Sequence, residues 1–345
     1  MMPANRPQVC NYKIRNRDDR RPWSWPLRGL ALLLLGALGH ARAEAQALAY
    51  VPTHKSNTVS VVNTATNTVV ATVPVGIQPL AVAITPDGAF AYVTNSGWIF
   101  GSNSVSVIDT HTNAVTATIA VGNFPIGVAF APNGAFAYVV NDGANSVSVI
   151  DTPTKTVVAT INVGASPWGV AFTPNGAFAY VTNQASNTVS VINTANRTVA
   201  ATVPVGNNPV GLAITPDGAF AYVANYLSKS VSVINTATNT VVNTVAVGNN
   251  PIAVAISPNG TSAYVPNDGD NNVSLVSTAS NTVTATIPVQ TNPRGVAITA
   301  DGAFAYVSNR ISNTVSVINT ATNSVVATVM GVAVFPEAVA ITPAR

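Results

Sequence analysis

Short runs of alternating apolar and polar residues fill the chain from about residue 47 onward. Typical examples are AYVTN at 91–95, TVSVIN at 188–193 and VAIT at 82–85. Alternation with a period of two is typical of β-strands, and these stretches lack the spacing of an amphipathic helix. Pro, Gly, Asn and Asp separate the runs, which indicates tight turns between them. The pattern therefore predicts an all-β protein with short antiparallel strands.

An internal repeat organises these runs. The triplet AYV occurs seven times, and its tyrosines are spaced by 42 residues except for one interval of 46. These tyrosines are Tyr50, Tyr92, Tyr138, Tyr180, Tyr222, Tyr264 and Tyr306. Each repeat contains four alternating runs, and a four-stranded unit can bury its faces only against neighbouring units. The repeat therefore predicts a seven-bladed β-propeller with four antiparallel strands per blade.

The order of the runs predicts how the ring closes. Pro-Asp-Gly or Pro-Asn-Gly turns precede five of the AYV runs, and the VAIT-like run before each turn alternates small with large residues. Small residues suit a crowded position near the ring axis, so we assign the VAIT-like run to the innermost strand. The first repeat lacks this run, whereas the last repeat has an extra one at 338–342. We therefore expect the C-terminal strand to complete blade 1.

The repeat unit resembles that of the YVTN family of β-propellers. The resemblance lies in the AYVTN and AYVAN segments, followed by SNTVSVINT and by VGxxPxGVAxTPDG, and it covers residues 48–345. It implies exported bacterial and archaeal proteins, including surface-layer-like ones, and it implies no transferable catalytic residues. Ser277 and Gln290 depart from the pattern in the sixth repeat, and the link at 330–337 is irregular in the seventh.

The first 45 residues have the layout of a secretory signal peptide. A basic region precedes an apolar run at 30–38 and a tract of small residues around Ala43 and Ala45, after either of which we expect cleavage. The propeller would then occupy residues 46–345, with no transmembrane segment, because the apolar run is too short to span a bilayer. The adjacent Arg20 and Arg21 leave both the Sec and the Tat export routes open. The single cysteine, Cys10, lies in this leader, and export without disulfides suits the bacterial periplasm, cell surface or exterior.

The net positive charge of the chain suggests nucleic-acid binding, but the distribution of the charges argues against it. The chain has 15 basic and 12 acidic residues and a net charge of +3, but eight of the basic residues precede residue 44. The remainder carries seven basic and ten acidic residues, and a mildly acidic body has no general attraction for phosphate backbones. Single-stranded nucleic-acid binding by stacking is therefore the weakest alternative, and a strong salt dependence would reveal it.

Few residues suggest catalysis or metal binding. His54 and His111 fall in links at opposite ends of their blades, so they cannot share one ion. Asp268 and Asp270 could contribute to a Ca²⁺ site, but their turn lacks the ligand count of a full calcium loop. No cysteine or phosphate-binding loop follows the leader, and the serines and threonines occur as repeated strand residues. We predict no catalytic residues, no cofactor and no metal site beyond the weak calcium candidate.

The links at one end of the predicted blades are heterogeneous, whereas those at the other end are nearly uniform. Varied side chains on a rigid scaffold are typical of a recognition surface. The candidates for this surface are Trp98, Ile99, Phe100, Phe124, Trp168 and Tyr226. Two alternatives stay open: neutral variation of exposed turns, or Trp98 and Phe100 folding back to plug the channel or to cover a neighbouring blade.

The first position of each innermost strand, just after the link proline, provides a second candidate site. This position is apolar in five blades but is Arg294 and Glu337 in the other two. Ring closure would make those two blades neighbours. We predict an ion pair or a shared polar site at one mouth of the channel.

Taken together, these features favour an exported, non-enzymatic scaffold that binds a protein or cell-envelope component through its heterogeneous face. The main alternative is a channel-mouth enzyme that acts on a small molecule. Propeller lactonases offer a family comparison, which implies carboxylates and a divalent ion in the central channel. The identity of the ligand and the oligomeric state stay open.

Overall fold

The computed structural model describes residues 47–97 and 101–343. In these residues, 28 strands form seven four-stranded antiparallel sheets that surround a central channel. The helical content of the described residues is a single turn of 3-10 helix, Asp142–Ala144. The predicted seven-bladed all-β propeller is therefore confirmed. The predicted signal peptide, residues 1–45, lies outside the described residues, as do Trp98, Ile99 and Phe100.

The strands follow the repeat closely. Blade 1 begins with β1 (Leu48–Thr53), β2 (Thr58–Asn63) and β3 (Thr68–Pro74). Blade 2 contains β4 (Pro79–Ile84), β5 (Phe90–Asn95), β6 (Ser104–Asp109) and β7 (Ala114–Ala120). Blade 3 contains β8 (Pro125–Phe130), β9 (Phe136–Asn141), β10 (Ser146–Asp151) and β11 (Thr156–Asn162). Blade 4 contains β12 (Pro167–Phe172), β13 (Phe178–Asn183), β14 (Thr188–Asn193) and β15 (Thr198–Pro204).

The last three blades have the same plan. Blade 5 contains β16 (Pro209–Ile214), β17 (Phe220–Asn225), β18 (Ser230–Asn235) and β19 (Thr240–Ala246). Blade 6 contains β20 (Ala255–Ile256), β21 (Ser262–Asn267), β22 (Asn272–Ser277) and β23 (Thr282–Pro288). Blade 7 contains β24 (Pro293–Ile298), β25 (Phe304–Asn309), β26 (Thr314–Asn319) and β27 (Ser324–Val329), and β28 (Ala340–Ile341) follows it.

The C-terminal strand closes the ring, as the order of the runs predicts. β28 pairs antiparallel with β1, with Ala340 opposite Tyr50 and Ile341 opposite Ala49. The sheet order β28-β1-β2-β3 makes β28 the innermost strand of blade 1. The Thr342 amide also donates a 2.9 Å hydrogen bond to the Leu48 carbonyl. Blade 1 is therefore built from both ends of the propeller sequence.

The hydrophobic core lies between neighbouring blades. One cluster joins Tyr50 and Val61 of blade 1 to Val82 and Val93 of blade 2, and each of these side chains is buried. Equivalent clusters join the following blades around the ring. A blade therefore loses its core when it loses its neighbour.

Small residues on the inner strands let the blades approach each other at the axis. A Cβ atom added to Gly211 would lie 2.6 Å from the Ala253 Cα atom and 2.7 Å from the Ile252 carbonyl oxygen. Gly169 and Gly295 are similarly close to the backbone of the next inner strand. This close approach explains the small-large alternation of the VAIT-like runs.

The repeated tyrosines also connect the blades by hydrogen bonds, a role that their recurrence in the sequence did not indicate. Each of four tyrosine hydroxyls donates to the Oδ1 atom of an asparagine in the turn between the third and fourth strands of the next blade. The pairs are Tyr50–Asn113 at 2.6 Å, Tyr180–Asn239 at 2.6 Å, Tyr222–Asn281 at 2.7 Å and Tyr306–Asn67 at 2.7 Å. The last pair joins blade 7 to blade 1.

Two blade interfaces replace this bond with aromatic contacts. Lys155 and Arg197 occupy the asparagine position in blades 3 and 4. The Lys155 ammonium lies 4.9 Å from the Phe90 ring centre, and the Arg197 guanidinium lies 5.0 Å from the Phe136 ring centre. Cation–π contacts of this kind stabilise by about 0.5–1 kcal/mol at exposed sites. The phenylalanines of these blades therefore contribute to specific contacts between blades.

We expect Tyr180→Phe to lower the free energy of unfolding by about 1 kcal/mol, because it removes one hydrogen bond and leaves the Asn239 acceptor without its donor. Tyr92→Phe is the matched control, because Lys155 stands where its asparagine would be. Urea unfolding of both variants measures the difference. Equal midpoints for the two variants would show that the Tyr–Asn bond does not connect the blades.

Candidate functional site

The two ends of the propeller differ in character. We call the end that carries the links between second and third strands, and the links between blades, the variable face. The opposite end, with the Pro-Asp-Gly and Thr-x-Thr-Asn turns, is the uniform face. The channel contains a cavity of about 250 Å³, which is lined by the inner strands of all seven blades. Because each inner strand starts at the variable face, this is the face at which the rim of the cavity lies.

The rim ring is formed by the first position after the link proline in each blade. Its members are Leu80, Ile126, Trp168, Val210, Ile252, Arg294 and Glu337. All of them line the cavity except Val210, which is buried in the core between blades 5 and 6. The five apolar members form an arc, and the two charged members complete the ring. The cavity is therefore apolar on one side and charged on the other.

The two charged rim residues are neighbours, as the register and the ring closure predict. The Arg294 Nε atom lies 4.0 Å from the Glu337 Oε2 atom. Glu337 also accepts a 2.7 Å hydrogen bond from Arg310 Nε, and Arg294 Nη2 lies 3.6 Å from Asp268 Oδ2. We call Asp268, Arg294, Arg310 and Glu337 the channel-mouth cluster. Whether Arg294 and Glu337 bind a ligand stays a prediction.

Two members of this cluster, Asp268 and Arg310, were not predicted to join the rim pair. Both lie in second-to-third-strand links of adjacent blades, at the same end as the rim ring. Their position in the repeat was visible in the sequence. Their reach over the channel depends on side-chain direction, which the strand register does not determine.

Burial dominates the electrostatics of the cluster. It raises the pKa of Glu337, and the Arg294 and Arg310 guanidinium groups only partly oppose this shift. Burial also raises the pKa of Asp268, against the opposing effects of Arg294, Arg310 and a hydrogen bond with Tyr226. Charges that are partly withdrawn from water require partners. Two guanidinium groups and two carboxylates therefore assemble into one neutral cluster.

The irregular link before β28 supports the cluster from outside. Phe335 has a positive φ of 61°, and the Arg310 guanidinium lies 4.6 Å from its ring centre. Lys55 Nζ lies 5.4 Å from the same ring, and the His54 amide donates a 2.8 Å hydrogen bond to the Phe335 carbonyl. The link from 330 to 337, irregular in sequence, thus holds Arg310 beside Glu337.

His54 should make stability depend on pH. Burial, followed by the charges of Arg310 and Arg294, lowers its pKa from the ordinary value of 6.5. As the pH falls through that value, the unfolded chain binds the proton before the folded chain does, so stability is lost. We expect the melting temperature of the parent to fall more between about pH 7.5 and 5.5 than that of His54→Gln.

The control for this pH experiment is His111→Gln, which removes a histidine on the uniform face. The melting temperatures are measured by circular dichroism across the pH series. If His54→Gln and His111→Gln had the same pH dependence, the effect would not come from the channel mouth.

The predicted surface residues have different surroundings. Trp168 lines the cavity as part of the rim ring. Tyr226 packs on the core between blades 5 and 6 and shares a hydrogen bond with Asp268. Phe124 lies against Gly143, at the 3-10 turn of blade 3. Because Trp98, Ile99 and Phe100 lie outside the described residues, an apolar surface over blades 2 to 4 stays a prediction.

The donor set at the channel mouth does not fit a divalent metal ion. Both Asp268 and Glu337 face guanidinium groups, whereas Ca²⁺ takes six to eight oxygen ligands. Asp270 accepts hydrogen bonds from the Asn249 amide at 2.7 Å and from its Nδ2 atom at 2.6 Å. Over residues 47–97 and 101–343, no three His, Cys, Asp or Glu side chains come together as a metal-binding group. The two carboxylates of the weak calcium candidate, Asp268 and Asp270, thus interact with different protein groups, Arg294 and Asn249.

Two family models match the chain. The model for the lactonase seven-bladed β-propeller matches residues 154–283 and 201–343, which together cover more than half of the chain. The chain therefore belongs to this family of seven-bladed propellers. The model for a choice-of-anchor I domain matches residues 41–208 and suggests an exported or cell-surface protein. The described residues contain no helix long and apolar enough to span a membrane.

Several solved structures are similar to this chain. Hydrazine synthase of Kuenenia stuttgartiensis aligns with a TM-score of 0.65 and 28% identity over 70% of this chain and 76% of that chain. A functionally unknown protein from Desulfotomaculum acetoxidans aligns with a TM-score of 0.76 and 21% identity over 86% of this chain and 99% of its own. A candidate 6-phosphogluconolactonase from Bacteroides fragilis aligns with a TM-score of 0.71 and 18% identity over 86% of this chain and 98% of its own. The last two likenesses show the fold alone. No curated protein matches the chain.

Proposed function

We propose that the protein is an exported, non-enzymatic propeller that binds a protein or cell-envelope partner at its variable face, centred on the channel mouth. The observation that carries this proposal is the location of exposed apolar side chains. Among the described residues, every exposed large apolar side chain found in a link between strands lies on the variable face. These residues are Ile77, Leu227, Ile311, Met330 and Val334.

The uniform face has a different character, because its polar groups bond within the propeller. Thr152 donates a 2.5 Å hydrogen bond to the Gly134 carbonyl, and Thr320 donates a 2.6 Å bond to the Gly302 carbonyl. The tyrosine–asparagine bonds lie at this end as well. Loops on a rigid scaffold commonly carry binding residues, and the variable face supplies both exposed apolar groups and a charged centre. This contrast supports the variable face as the binding surface.

The experiment compares two substitutions in one blade. Leu227 is 61% exposed in the β17–β18 link on the variable face, and Ala237 is exposed in the β18–β19 turn on the uniform face. We expect Leu227→Lys to reduce capture of the partner from envelope extract at least tenfold, because a charge enters an apolar contact. Ala237→Lys should capture as the parent does. Equal capture by all three proteins, or a loss with Ala237→Lys alone, would contradict the proposal.

Lactone hydrolysis at the same mouth is the second candidate. Family membership favours it, as does Glu337, because burial raises the pKa of this carboxyl toward the range useful for proton transfer. The ion pair with Arg310 favours a structural role for the same carboxyl. If the parent hydrolysed simple lactones and Glu337→Gln did not, the proposed binding function would give way to an enzymatic one. Hydrolysis at the uncatalysed rate would remove this candidate.

A further inference from the structure

The hydrogen-bonding capacity of Arg294 is largely unused at a cavity that is otherwise apolar. Its Nε atom is buried and, among the described residues, has no hydrogen-bond partner. Its carboxylate neighbours lie at 3.6 Å and 4.0 Å, beyond hydrogen-bond distance. Arg310, in contrast, is bonded to Glu337 at 2.7 Å. Arg294 is therefore the member of the channel-mouth cluster that can still donate.

The group that Arg294 lacks is an acceptor. A guanidinium group offers five N–H donors in a planar fork, and a carboxylate matches this fork with two parallel hydrogen bonds. Of the two carboxylates in the cluster, Glu337 is engaged by Arg310, and Asp268 shares a hydrogen bond with Tyr226. A ligand that completes the site must therefore bring its own acceptor, and an anionic acceptor gains most.

The other side of the cavity determines the rest of the ligand. Trp168, in blade 4, lies across the channel from the charged pair in blades 7 and 1, and Ile126 and Ile252 also belong to the apolar lining. The cavity volume is about 250 Å³, whereas an engineered apolar cavity of about 150 Å³ binds benzene. The space therefore accommodates an apolar group of roughly eight carbons.

We propose that the channel mouth binds an apolar monocarboxylate, with the carboxylate on the Arg294 guanidinium group and the apolar group against Trp168 and the neighbouring arc. This inference rests on the proposed function and names the chemistry of its central contact. Two sources present this chemistry: a free medium-chain or aromatic acid, and the C-terminal residue of a polypeptide that ends in Leu or Phe. In both cases the site binds a carboxylate and an apolar group.

The test is calorimetric titration of the full chain with octanoate, 1-octanol, and a short peptide ending in Leu as the free acid or as the amide. We expect octanoate or the free-acid peptide to bind, and the alcohol and the amide to bind at least tenfold more weakly, because charged hydrogen bonds are lost. Binding of octanoate alone assigns a free acid as the source. Binding of the free-acid peptide alone assigns a chain terminus.

Variants locate the contact. Arg294→Gln should weaken binding at least tenfold, and Arg294→Lys should weaken it less, because it keeps the charge without the fork. The matched control is Arg197→Gln, at the arginine that stacks on Phe136 outside the channel, and it should bind as the parent does. Melting curves show which variants are folded. If Arg294→Gln does not fold, the binding of Arg294→Lys provides the test.

Three results would overturn the inference: equal affinity for octanoate and 1-octanol, equal affinity in the parent and the Arg294 variants, or no binding of either carboxylate. If these occurred while Leu227→Lys still abolished partner capture, the proposed function would stand and this inference alone would fail. If Leu227→Lys and Ala237→Lys captured the partner equally well while octanoate still bound at Arg294, the proposed function would fail and the carboxylate site would stand.

Discussion

A chain that ends at Phe335 is expected to lose about 5 kcal/mol of stability and roughly 10 °C in melting temperature. It lacks β28, the innermost strand of blade 1, together with the buried side chain of Val339 and the hydrogen bonds between Thr342 and Leu48. Burial of apolar side chains contributes about 2 kcal/mol each, and each hydrogen bond about 1 kcal/mol. The open ring should also unfold less cooperatively, because the chain that follows blade 7 no longer supplies the inner strand of blade 1.

Thermal and urea unfolding measure this effect, with two further chains as controls. A chain that ends at Ala338 keeps Glu337 beside Arg310 but still lacks β28, so it should be nearly as unstable. A chain that ends at Pro343 keeps every described residue and should match the parent. If the chain ending at Phe335 melted like the chain ending at Pro343, the C-terminal strand would not close the ring.

The second large effect is expected at the channel axis. Gly211→Ala places a methyl group 2.6 Å from the Ala253 Cα atom and 2.7 Å from the Ile252 carbonyl oxygen, so two inner strands must separate. Overpacking of a well-packed core destabilises by about 1–3 kcal/mol, and we expect the upper end because the clash is with backbone. Urea unfolding measures the change in the free energy of unfolding.

Gly331→Ala provides the control for the axial substitution. Gly331 has a positive φ of 78° and open space around its Cβ position, so alanine adds backbone strain of about 1 kcal/mol without a clash. We expect Gly211→Ala to be the more destabilising change, although alanine adopts the backbone conformation of residue 211 more easily than that of residue 331. A smaller effect at Gly211 would contradict tight packing of the inner strands.

The sequence predicted the fold because each repeat carries its own strand and turn signals. The AYV spacing defined the blades, and the extra run at 338–342 predicted the closing strand. The same register placed Arg294 and Glu337 on adjacent blades. These predictions depend only on backbone order, which a repeat of four alternating runs determines.

Contacts between side chains of different blades were less accessible from the sequence. The Tyr180 hydroxyl reaches Asn239 across 59 residues, and Arg310 reaches Glu337 across 27. Both contacts depend on the twist of the blades and on side-chain direction, neither of which affects the alternation of residues. Lys155 and Arg197 interrupt the asparagine series, and this irregularity was the one visible signal of the different interfaces in blades 2 to 4.

Photo-crosslinking in cells that export the chain measures directly whether the variable face binds the partner. A photo-crosslinking amino acid replaces Leu227 on the variable face and, in a second strain, Ala237 on the uniform face of the same blade. We expect a discrete crosslinked product from position 227 and none from position 237. A product from position 237 alone would place the partner on the uniform face and contradict the proposed function.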